Sequence, residues 1–402
     1  MPRNRRQAVA TLLFVVLTVA MALTVACSAS SPVASPSSST SPSPKTSASA
    51  PSSASPSSSA STKAPSAEEQ AYQKAQDNWK KVVEAAQKEG EATFYTILDQ
   101  TRTKPYTDAF NKLDPKIQVK FVMQPGAAAI QRFQGEASTK QYIGNAHLTG
   151  ATTTRQMARL ELTQTVDDLP ALYEPGVKWA IPPLYDKPKE TITFALVKYL
   201  LVYNTNLVPA GQEPKTWKDL ADPKWKDKLF IWDPRIAGYG RQLMATIYLH
   251  PQYGPDVASK IVDNMRPVAQ TNDGVQAVAK GEAAVSIAPW GAYVPVRDAP
   301  VKPISPEDGS VFAPMQVAVV KNAPQLNVTK VFLNWLLSKE GQAVVGNDYA
   351  VLRSDVSGAA KETQVLPGEK FMPNTPYTYD FEVNKIDETG KIIDKWINDA
   401  NK

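Results

Sequence analysis

Polar side chains follow several apolar segments of this 402-residue sequence, and their types suit the binding of a small anionic ligand. Thr96 and Asp99 stand at the end of the segment ATFYTIL, and Thr149, Gly150 and Arg155 follow the segment NAHL. Hydroxyls, backbone N–H groups and a guanidinium are donors that suit phosphate, phosphonate and carboxylate oxygens. Because ligands of open α/β sheets lie beyond the carboxyl ends of the strands, we predict ligand contacts at these residues.

Two of these positions also have a purely structural interpretation. Thr149–Thr152 could form an ordinary helix N-cap, and Arg155 could lie on a solvated helix face. The residue types alone do not separate these interpretations from ligand binding.

A second group of candidates lies in the segments DPRIAGYG and APWGAY. Arg235 could pair with an anion, and the two glycines beside Tyr239 allow a backbone to approach a ligand closely. Trp290 and Tyr293 could stack on a flat or cationic ligand, or simply pack inside a lobe. GYG lacks the third glycine of a dinucleotide fingerprint, so no nucleotide cofactor is indicated.

Catalytic and metal-binding motifs do not emerge from the sequence. There is no GxSxG elbow and no HExxH, and His147 and His250 lack the spacing of zinc ligands, so we expect both histidines to be structural. We therefore expect a protein that is not an enzyme and that has no cofactor or metal ligand. A carboxylate pair could still support a secreted hydrolase, because the sequence does not show which Asp and Glu meet in space.

The N-terminus combines three arginines at positions 3, 5 and 6 with an uncharged run from Ala8 to Ala26 and the lone cysteine, Cys27. A basic region, an apolar region and a small residue before the cleavage point are typical of an export signal. The segment TVAC resembles a bacterial lipobox, and this resemblance implies that residues 1–26 are a signal peptide and that Cys27 carries lipid. A retained signal anchor is the alternative, because the run is long enough to span a bilayer.

Residues 27–66 are rich in Ser, Pro and Ala, and we predict a disordered tether after the anchor cysteine. A flexible chain of this length has a root-mean-square span of about 35 Å.

Residues 67–402 are too many for one ordinary hydrophobic core and suit two lobes. The net charge is +5, of which three charges are the signal arginines, and there is no long basic run, so we expect no nucleic-acid partner.

Strand and helix patterns alternate through the globular part as in a doubly wound α/β fold. Ser66 and Glu69 form a capping-box pattern, and Gly90 marks the end of the first helix. The segment TITFALVKYLLVYNT indicates a long strand, and residues 327–347 read as one amphipathic helix.

Several segments resemble one family when their order and spacing are taken together. They are VYNTNLV, TWKDLADPKWKDKL, VAVVKNAP, FLNWLLSKEGQAVV and YAVLRSDV. They are similar to the extracellular solute-binding proteins of ABC importers, in the branch that binds ferric iron, thiamine or phosphonates. This resemblance implies a type 2 periplasmic-binding-protein fold, with two α/β lobes joined by crossing strands near Thr193–Leu200 and Phe312–Ala318. Lobe 1 would cover about 85–195 and 310–360, lobe 2 about 200–308, and 361–402 would form a C-terminal segment.

The same resemblance implies a monomeric, lipid-anchored receptor on the outer face of the membrane that delivers a small solute or ion to an ABC permease. The ferric branch uses two adjacent tyrosines, but Tyr293 has no such neighbour and no Tyr-Tyr pair occurs in the chain. We therefore expect an organic oxyanion, such as a phosphonate, ahead of iron or an iron complex. A secreted hydrolase and a carbohydrate-binding or adhesion lipoprotein are the alternatives.

Overall fold

The computed structural model describes residues 65–184, 191–236, 238–356, 364, 372 and 384–400. The predicted signal peptide, Cys27 and nearly all of the predicted tether lie outside the described residues. Within the described residues, no helix combines the length and apolar character that crossing a membrane requires.

The helices and strands follow one another in mixed order along the chain. The helices are α1 (Ala67–Glu89), α2 (Gln100–Asn111), α3 (Gly126–Thr139), α4 (Ala151–Arg159), α5 (Tyr239–Tyr248), α6 (Gly254–Asn264), α7 (Thr271–Lys280), α8 (Trp290–Tyr293), α9 (Leu326–Leu337), α10 (Lys339–Val345) and α11 (Ile386–Ala400). The strands are β1 (Glu91–Thr96), β2 (Gln118–Met123), β3 (Gly144–Gly150), β4 (Ile192–Asn204), β5 (Leu229–Trp232), β6 (Met265–Val268), β7 (Val285–Pro289), β8 (Val301–Ile304) and β9 (Phe312–Val319).

The first helix has the boundaries that its sequence predicts. The Ser66 hydroxyl accepts a hydrogen bond from the Glu69 N–H at 3.1 Å, and the Glu69 carboxylate accepts one from the Ser66 N–H at 2.6 Å. The helix ends before Gly90, which adopts φ 80°, a region that glycine enters without steric cost. The capping-box prediction is confirmed.

The strands form two similar halves, which we call lobe 1 and lobe 2. In lobe 1, β1 pairs in parallel with β2 and β3, and β9 pairs antiparallel with β3 and with the first half of β4. In lobe 2, β5 pairs in parallel with β6 and β7, and the second half of β4 pairs antiparallel with β7 and β8. The two-lobed α/β fold class is confirmed.

Strand β4 joins the lobes because one 13-residue strand contributes to both. Its register with β9 ends at Lys198, opposite Phe312, and its register with β7 begins at Tyr199. The Tyr199 N–H donates to the carbonyl of Val311 at 3.0 Å, just before β9. Strand β4 and the segment that leads into β9 therefore run side by side at the boundary between the lobes, which is the arrangement of a hinge.

The segment predicted as one helix at residues 327–347 is two helices, so that prediction was wrong. Ser338 is extended, at φ −70° and ψ 170° rather than helical, and its hydroxyl caps α10 by accepting from the Gly341 N–H at 3.2 Å. The chain folds back so tightly that a Cβ on Gly341 would lie 1.9 Å from the carbonyl oxygen of Trp335. The apolar period continues through the break, which is why the pattern did not reveal it.

The C-terminal helix α11 packs on lobe 2. Ile386, Ile393 and Ile397 are buried in the same core as Trp217 and Leu243 of that lobe. Arg241 of α5 donates two hydrogen bonds to Asp394, at 3.0 and 2.9 Å. At its first turn, α11 also reaches α4 of lobe 1 through an exposed ion pair between Arg159 and Asp387 at 3.3 Å.

Candidate functional site

The carboxyl ends of parallel strands meet at one edge in each lobe, and most of the predicted ligand contacts lie at these edges. In lobe 1 the ends of β1 and β3 lead into α2 and α4; in lobe 2 the ends of β5 and β7 lead into α5 and α8. The two edges approach each other. Nη2 of Arg102 on α2 lies 3.9 Å from the position that a Cβ on Gly291 of α8 would occupy. We call the space flanked by α2 and α8 the cleft.

Thr96 and Asp99 both support the turn between β1 and α2. The Thr96 hydroxyl accepts from the Leu98 N–H at 3.1 Å, and its side chain is fully buried. The Asp99 carboxylate is exposed and caps α2 by accepting from the Arg102 N–H at 3.1 Å. A hydrogen bond from the Thr101 hydroxyl is the largest of the effects that lower the pKa of Asp99. The Asp99 carboxylate therefore lies at the edge of the cleft and serves as the N-cap of α2.

The start of α4 offers backbone donors, as the sequence suggested. Gly150 occupies the N-cap position, and no side chain makes a capping hydrogen bond there. Helix α3 likewise begins after Pro125 without a side-chain cap. The two helix starts are neighbours, because a Cβ on Gly126 would lie 2.7 Å from the Thr153 hydroxyl oxygen. The N-cap interpretation of Thr149–Thr152 therefore does not involve a threonine side chain.

A row of buried polar side chains fixes α4 against the strands that cross between lobes. Thr149 of β3, Gln316 of β9 and Thr193 of β4 are opposite one another in register, so their side chains share one face of the sheet. The Gln316 amide donates to the Thr193 hydroxyl at 3.2 Å and accepts from the Thr154 hydroxyl of α4 at 2.6 Å. These four side chains are at most 1% exposed. The row ties the candidate ligand loop to both strands that approach the hinge.

Arg155 does not lie on a solvated helix face, because only 2% of the residue is exposed. It follows Thr154 on α4, the helix that packs against β9. The structural interpretation offered by the sequence is therefore wrong for this residue, and its position one turn into α4 leaves the ligand-binding interpretation as a proposal.

Arg235 and Tyr239 both form hydrogen bonds with residues of lobe 2 and of the helix that packs on it. Arg235 holds Asp233 through two parallel contacts, with Nε at 2.9 Å and Nη2 at 2.6 Å, and its Nη1 donates to Asn398 of α11 at 2.8 Å. The Tyr239 hydroxyl donates to the carbonyl of Ile287 at 2.8 Å, and its ring stacks on Tyr199 with centroids 4.9 Å apart. In these contacts Arg235 joins the segment after β5 to α11, and Tyr239 fixes the start of α5 against β7.

Trp290 and Tyr293 are the first and last residues of the short helix α8, which follows β7 directly. Their ring centroids are 5.1 Å apart. Trp290 is half-buried and precedes Gly291, the residue of α8 that lies near Arg102, whereas Tyr293 is only 8% exposed. Trp290 is therefore the aromatic candidate that stands at the cleft.

The sequence did not predict Arg102 and Tyr349 as residues of the candidate site. Nη2 of Arg102 donates to the Tyr349 hydroxyl at 2.5 Å, and the guanidinium carbon lies 5.1 Å from the centre of the Tyr349 ring. Tyr349 is 247 residues away in sequence, so no local pattern pairs them. One local signal existed: Arg102 lies in the first turn of a helix, where the helix dipole disfavours a cation.

The two histidines have structural environments. His147 is fully buried and its Nε2 donates to the carbonyl of Gln124 at 3.2 Å, while burial lowers its pKa to about 4. Nδ1 of His250 accepts from the Gln252 N–H at 3.1 Å. In the described part of the chain, no group of three or more His, Cys, Asp and Glu side chains could hold a metal ion.

Burial raises the pKa of Tyr349 to about 12, so this phenol at the cleft is neutral near pH 7.

Comparison with curated sequences finds relatives that are named for different solutes. The "Iron uptake protein A1" of Synechocystis sp. is 29% identical over 188 residues, which are 42% of this chain and 51% of the relative. The "Putative 2-aminoethylphosphonate-binding periplasmic protein" of Salmonella typhimurium is 29% identical over 205 residues, which are 44% of this chain and 58% of the relative. The chain thus spans little more than half the length of the curated relatives that it matches.

Comparison with solved structures supports the fold. The periplasmic binding protein AfuA from Actinobacillus pleuropneumoniae, solved with exogenous fructose-6-phosphate bound, matches with a TM-score of 0.60 and 20% identity. The match covers 78% of this chain and 99% of that one. A model of the family "Bacterial extracellular solute-binding protein" matches residues 172–373, half of the chain, in a region that includes the crossing strand β4 and all of lobe 2. The chain therefore belongs to the bacterial extracellular solute-binding protein family.

Proposed function

We propose that this protein is the extracellular receptor of an ABC importer, capturing a small solute between its lobes and delivering it to the permease. The observation that carries the proposal is the cleft, in which α2 and α8 face each other across lobes joined by β4 and β9. A solute that contacts both edges stabilises the closed arrangement, because a ligand shifts a two-state equilibrium by its differential affinity. The permease would then recognise the closed form.

The preferred solute is an organic molecule that carries an oxyanion. The uncapped starts of α3 and α4 present backbone N–H groups, and Arg102 adds a guanidinium at the same edge. Relatives named for 2-aminoethylphosphonate and for iron uptake, and a structural neighbour bound to fructose-6-phosphate, are compatible with this class or with an iron complex. Thr96, Asp99, Thr149, Gly150, Arg155, Arg235, Tyr239, Trp290 and Tyr293 stay the proposed contacts. The uncapped start of α4 at Gly150 and the half-buried indole of Trp290 beside Gly291 support this proposal most.

The lobe boundaries are also part of this proposal: lobe 1 at about 85–195 and 310–360, and lobe 2 at about 200–308. The receptor would act as a monomer without a cofactor and without catalysis. The alternatives are a secreted hydrolase and a carbohydrate-binding or adhesion lipoprotein.

The proposal predicts that the purified protein retains or acquires a solute and closes around it. Mass spectrometry of the denatured protein identifies any solute that copurifies, and small-angle scattering with and without that solute measures closure. We expect a smaller radius of gyration with the solute and no product. Repeated conversion of the solute would instead support the hydrolase, and an unchanged radius with every bound solute would contradict the receptor mechanism.

Membrane attachment gives a second prediction, which concerns Cys27. We propose that its thiol carries the lipid that holds the protein on the outer face of the membrane, since stable anchoring requires more than one acyl chain and lipoprotein cysteines carry several. We expect Cys27→Ser to move the protein from the membrane fraction to the soluble fraction of a cell extract or to the medium. Ser28→Ala, beside it, is the matched control and should leave the distribution unchanged. Cys27→Ser protein that stays with the membrane would support a retained signal anchor instead.

A further inference from the structure

Arg102 occupies a position that helix energetics disfavour. Asp99 is the N-cap of α2, so Arg102 is the third helical residue, close to the positive end of the helix dipole. Local rules of this kind are most often broken at functional sites. The neighbouring carboxylates of Asp99 and Asp348 reduce the cost, with Nε of Arg102 at 3.8 Å from Asp348.

The Arg102 side chain is held in place from lobe 1. Its Nη2 donates to the Tyr349 hydroxyl at 2.5 Å, and its guanidinium lies over the Tyr349 ring. Tyr349 is itself only 4% exposed, and its ring packs edge-on against Phe194 in the core of lobe 1, which restricts its movement. A long side chain that is already ordered loses less entropy when it binds a ligand. Arg102 is therefore preorganised.

Most hydrogen-bonding capacity of Arg102 is unused by the described residues. A guanidinium has five N–H donors, and within the described part of the chain the Arg102 guanidinium donates one hydrogen bond, to Tyr349. By contrast, Arg353 donates to Asp355, Glu174 and the carbonyl of Leu337. The Arg102 side chain is 37% exposed, and Nη2, which gives one of its two hydrogens to Tyr349, lies near Gly291 of the other lobe. The second hydrogen of Nη2 and the adjacent Nη1 group therefore form a pair of donors that is not used by the described residues.

We propose that Arg102 is the residue that selects the ligand class of the cleft, by donating a pair of hydrogen bonds to the oxyanion of a small organic solute. The solute class is an organic phosphonate, phosphate or carboxylate, because a planar fork of N–H donors matches two oxygens of one such group. Trp290, adjacent to Gly291, offers a surface to the organic part of the solute. This inference rests on the proposed function of solute capture.

The test compares binding of four probes to the full chain extracted in detergent, by isothermal titration calorimetry. The probes are 2-aminoethylphosphonate, fructose-6-phosphate, ferric citrate and ethanolamine, which lacks the oxyanion. We expect the wild-type protein to bind at least one of the first two probes and not ethanolamine. We expect Arg102→Met to weaken that binding about 10- to 100-fold, the loss typical of charge-assisted hydrogen bonds. Arg102→Lys should lose nearly as much, because an ammonium keeps the charge but not the fork.

The matched control is Lys104→Met, which removes an exposed cation from the same helix. Lys104 pairs with Asp108 one turn further along α2, and no described contact joins it to lobe 2. We expect its binding constants to equal those of the wild type. Tyr349→Phe keeps the ring and removes only the hydrogen bond to Arg102, and we expect a loss of about 3- to 10-fold. This variant and Arg102→Lys carry the test if Arg102→Met does not fold.

The outcomes separate this inference from the function on which it rests. Binding of 2-aminoethylphosphonate or fructose-6-phosphate that is equally strong in the wild type and in Arg102→Met would overturn the role of Arg102 alone. Wild-type binding of ferric citrate that is insensitive to all Arg102 variants, without binding of the other anions, would overturn the ligand class. Wild-type protein that binds none of the four probes, and from which no solute copurifies, would contradict the proposed capture of solutes as well.

Discussion

Replacing both carboxylates around Arg353, as Glu174→Gln with Asp355→Asn, should lower the free energy of unfolding by about 3–5 kcal/mol. The Arg353 side chain is 1% exposed, and it donates to Asp355 at 2.9 and 3.0 Å and to Glu174 at 2.6 Å. Burial opposes the charge of Arg353, but the hydrogen bonds to Asp355 and Glu174 outweigh it and raise the pKa of Arg353. The double variant leaves that buried cation without its counter-charges. Urea unfolding followed by tryptophan fluorescence measures the change.

A third substitution distinguishes an unpaired charge from lost packing. Adding Arg353→Met to the double variant removes the buried cation, and we expect part of the stability to return, because apolar replacements of buried ion pairs are often tolerated. Glu84→Gln, which breaks an exposed pair with Lys80, should change stability by less than about 0.5 kcal/mol. A double variant as stable as the wild type, or a triple variant less stable than the double, would contradict the role of these charges.

His147→Gln should make the protein less sensitive to acid. His147 is fully buried beside Phe133, and burial lowers its pKa to about 4 from an ordinary value of 6.5. The unfolded chain therefore takes up a proton below pH 6.5 that the folded protein refuses until about pH 4. Stability is lost as the pH falls through this interval, by about 3 kcal/mol in total, at about 1.4 kcal/mol for each pH unit. The variant lacks this loss.

The measurement compares the free energies of unfolding of the two proteins at pH 8 and at pH 4.5. The difference at pH 8 reports the packing lost with the imidazole ring, because the histidine is neutral in both states there. The change in that difference between the two pH values reports the titration alone. We expect the change to favour the variant by about 2–3 kcal/mol. Parallel pH profiles for the two proteins would show that His147 titrates normally in the folded state.

Much of the fold was predictable because its signals are local. The capping box at Ser66 and Glu69 and the stop at Gly90 lie within the helix that they delimit. The long apolar run of β4 predicted a strand, since both of its halves are buried. Ser338 shows the limit of such signals, because a serine cap interrupts the helix while the apolar spacing on either side is preserved.

The candidate site was less predictable because it is made of contacts between distant segments. The sequence placed Thr149 and Gly150 correctly at the end of a strand, and Gly150 does begin α4 without a side-chain cap. It could not show that Arg155 is buried or that Arg235 is occupied by Asp233 and Asn398. It also gave no reason to pair Arg102 with Tyr349, because the two residues are 247 positions apart and no local sequence pattern links them.

By itself, the sequence determined which segments become strands and helices, and that the carboxyl ends of the strands carry polar groups. Periodicity, caps and glycines act within a few residues, so one segment is enough to reveal them. The tertiary structure decided which polar groups remain available to a ligand and which serve the fold. Which groups remain available depends on contacts with distant parts of the chain. Tyr349 holds Arg102 in place and leaves most of its N–H donors at the cleft, whereas the N–H donors of Arg353 and Arg235 are used in hydrogen bonds within the fold.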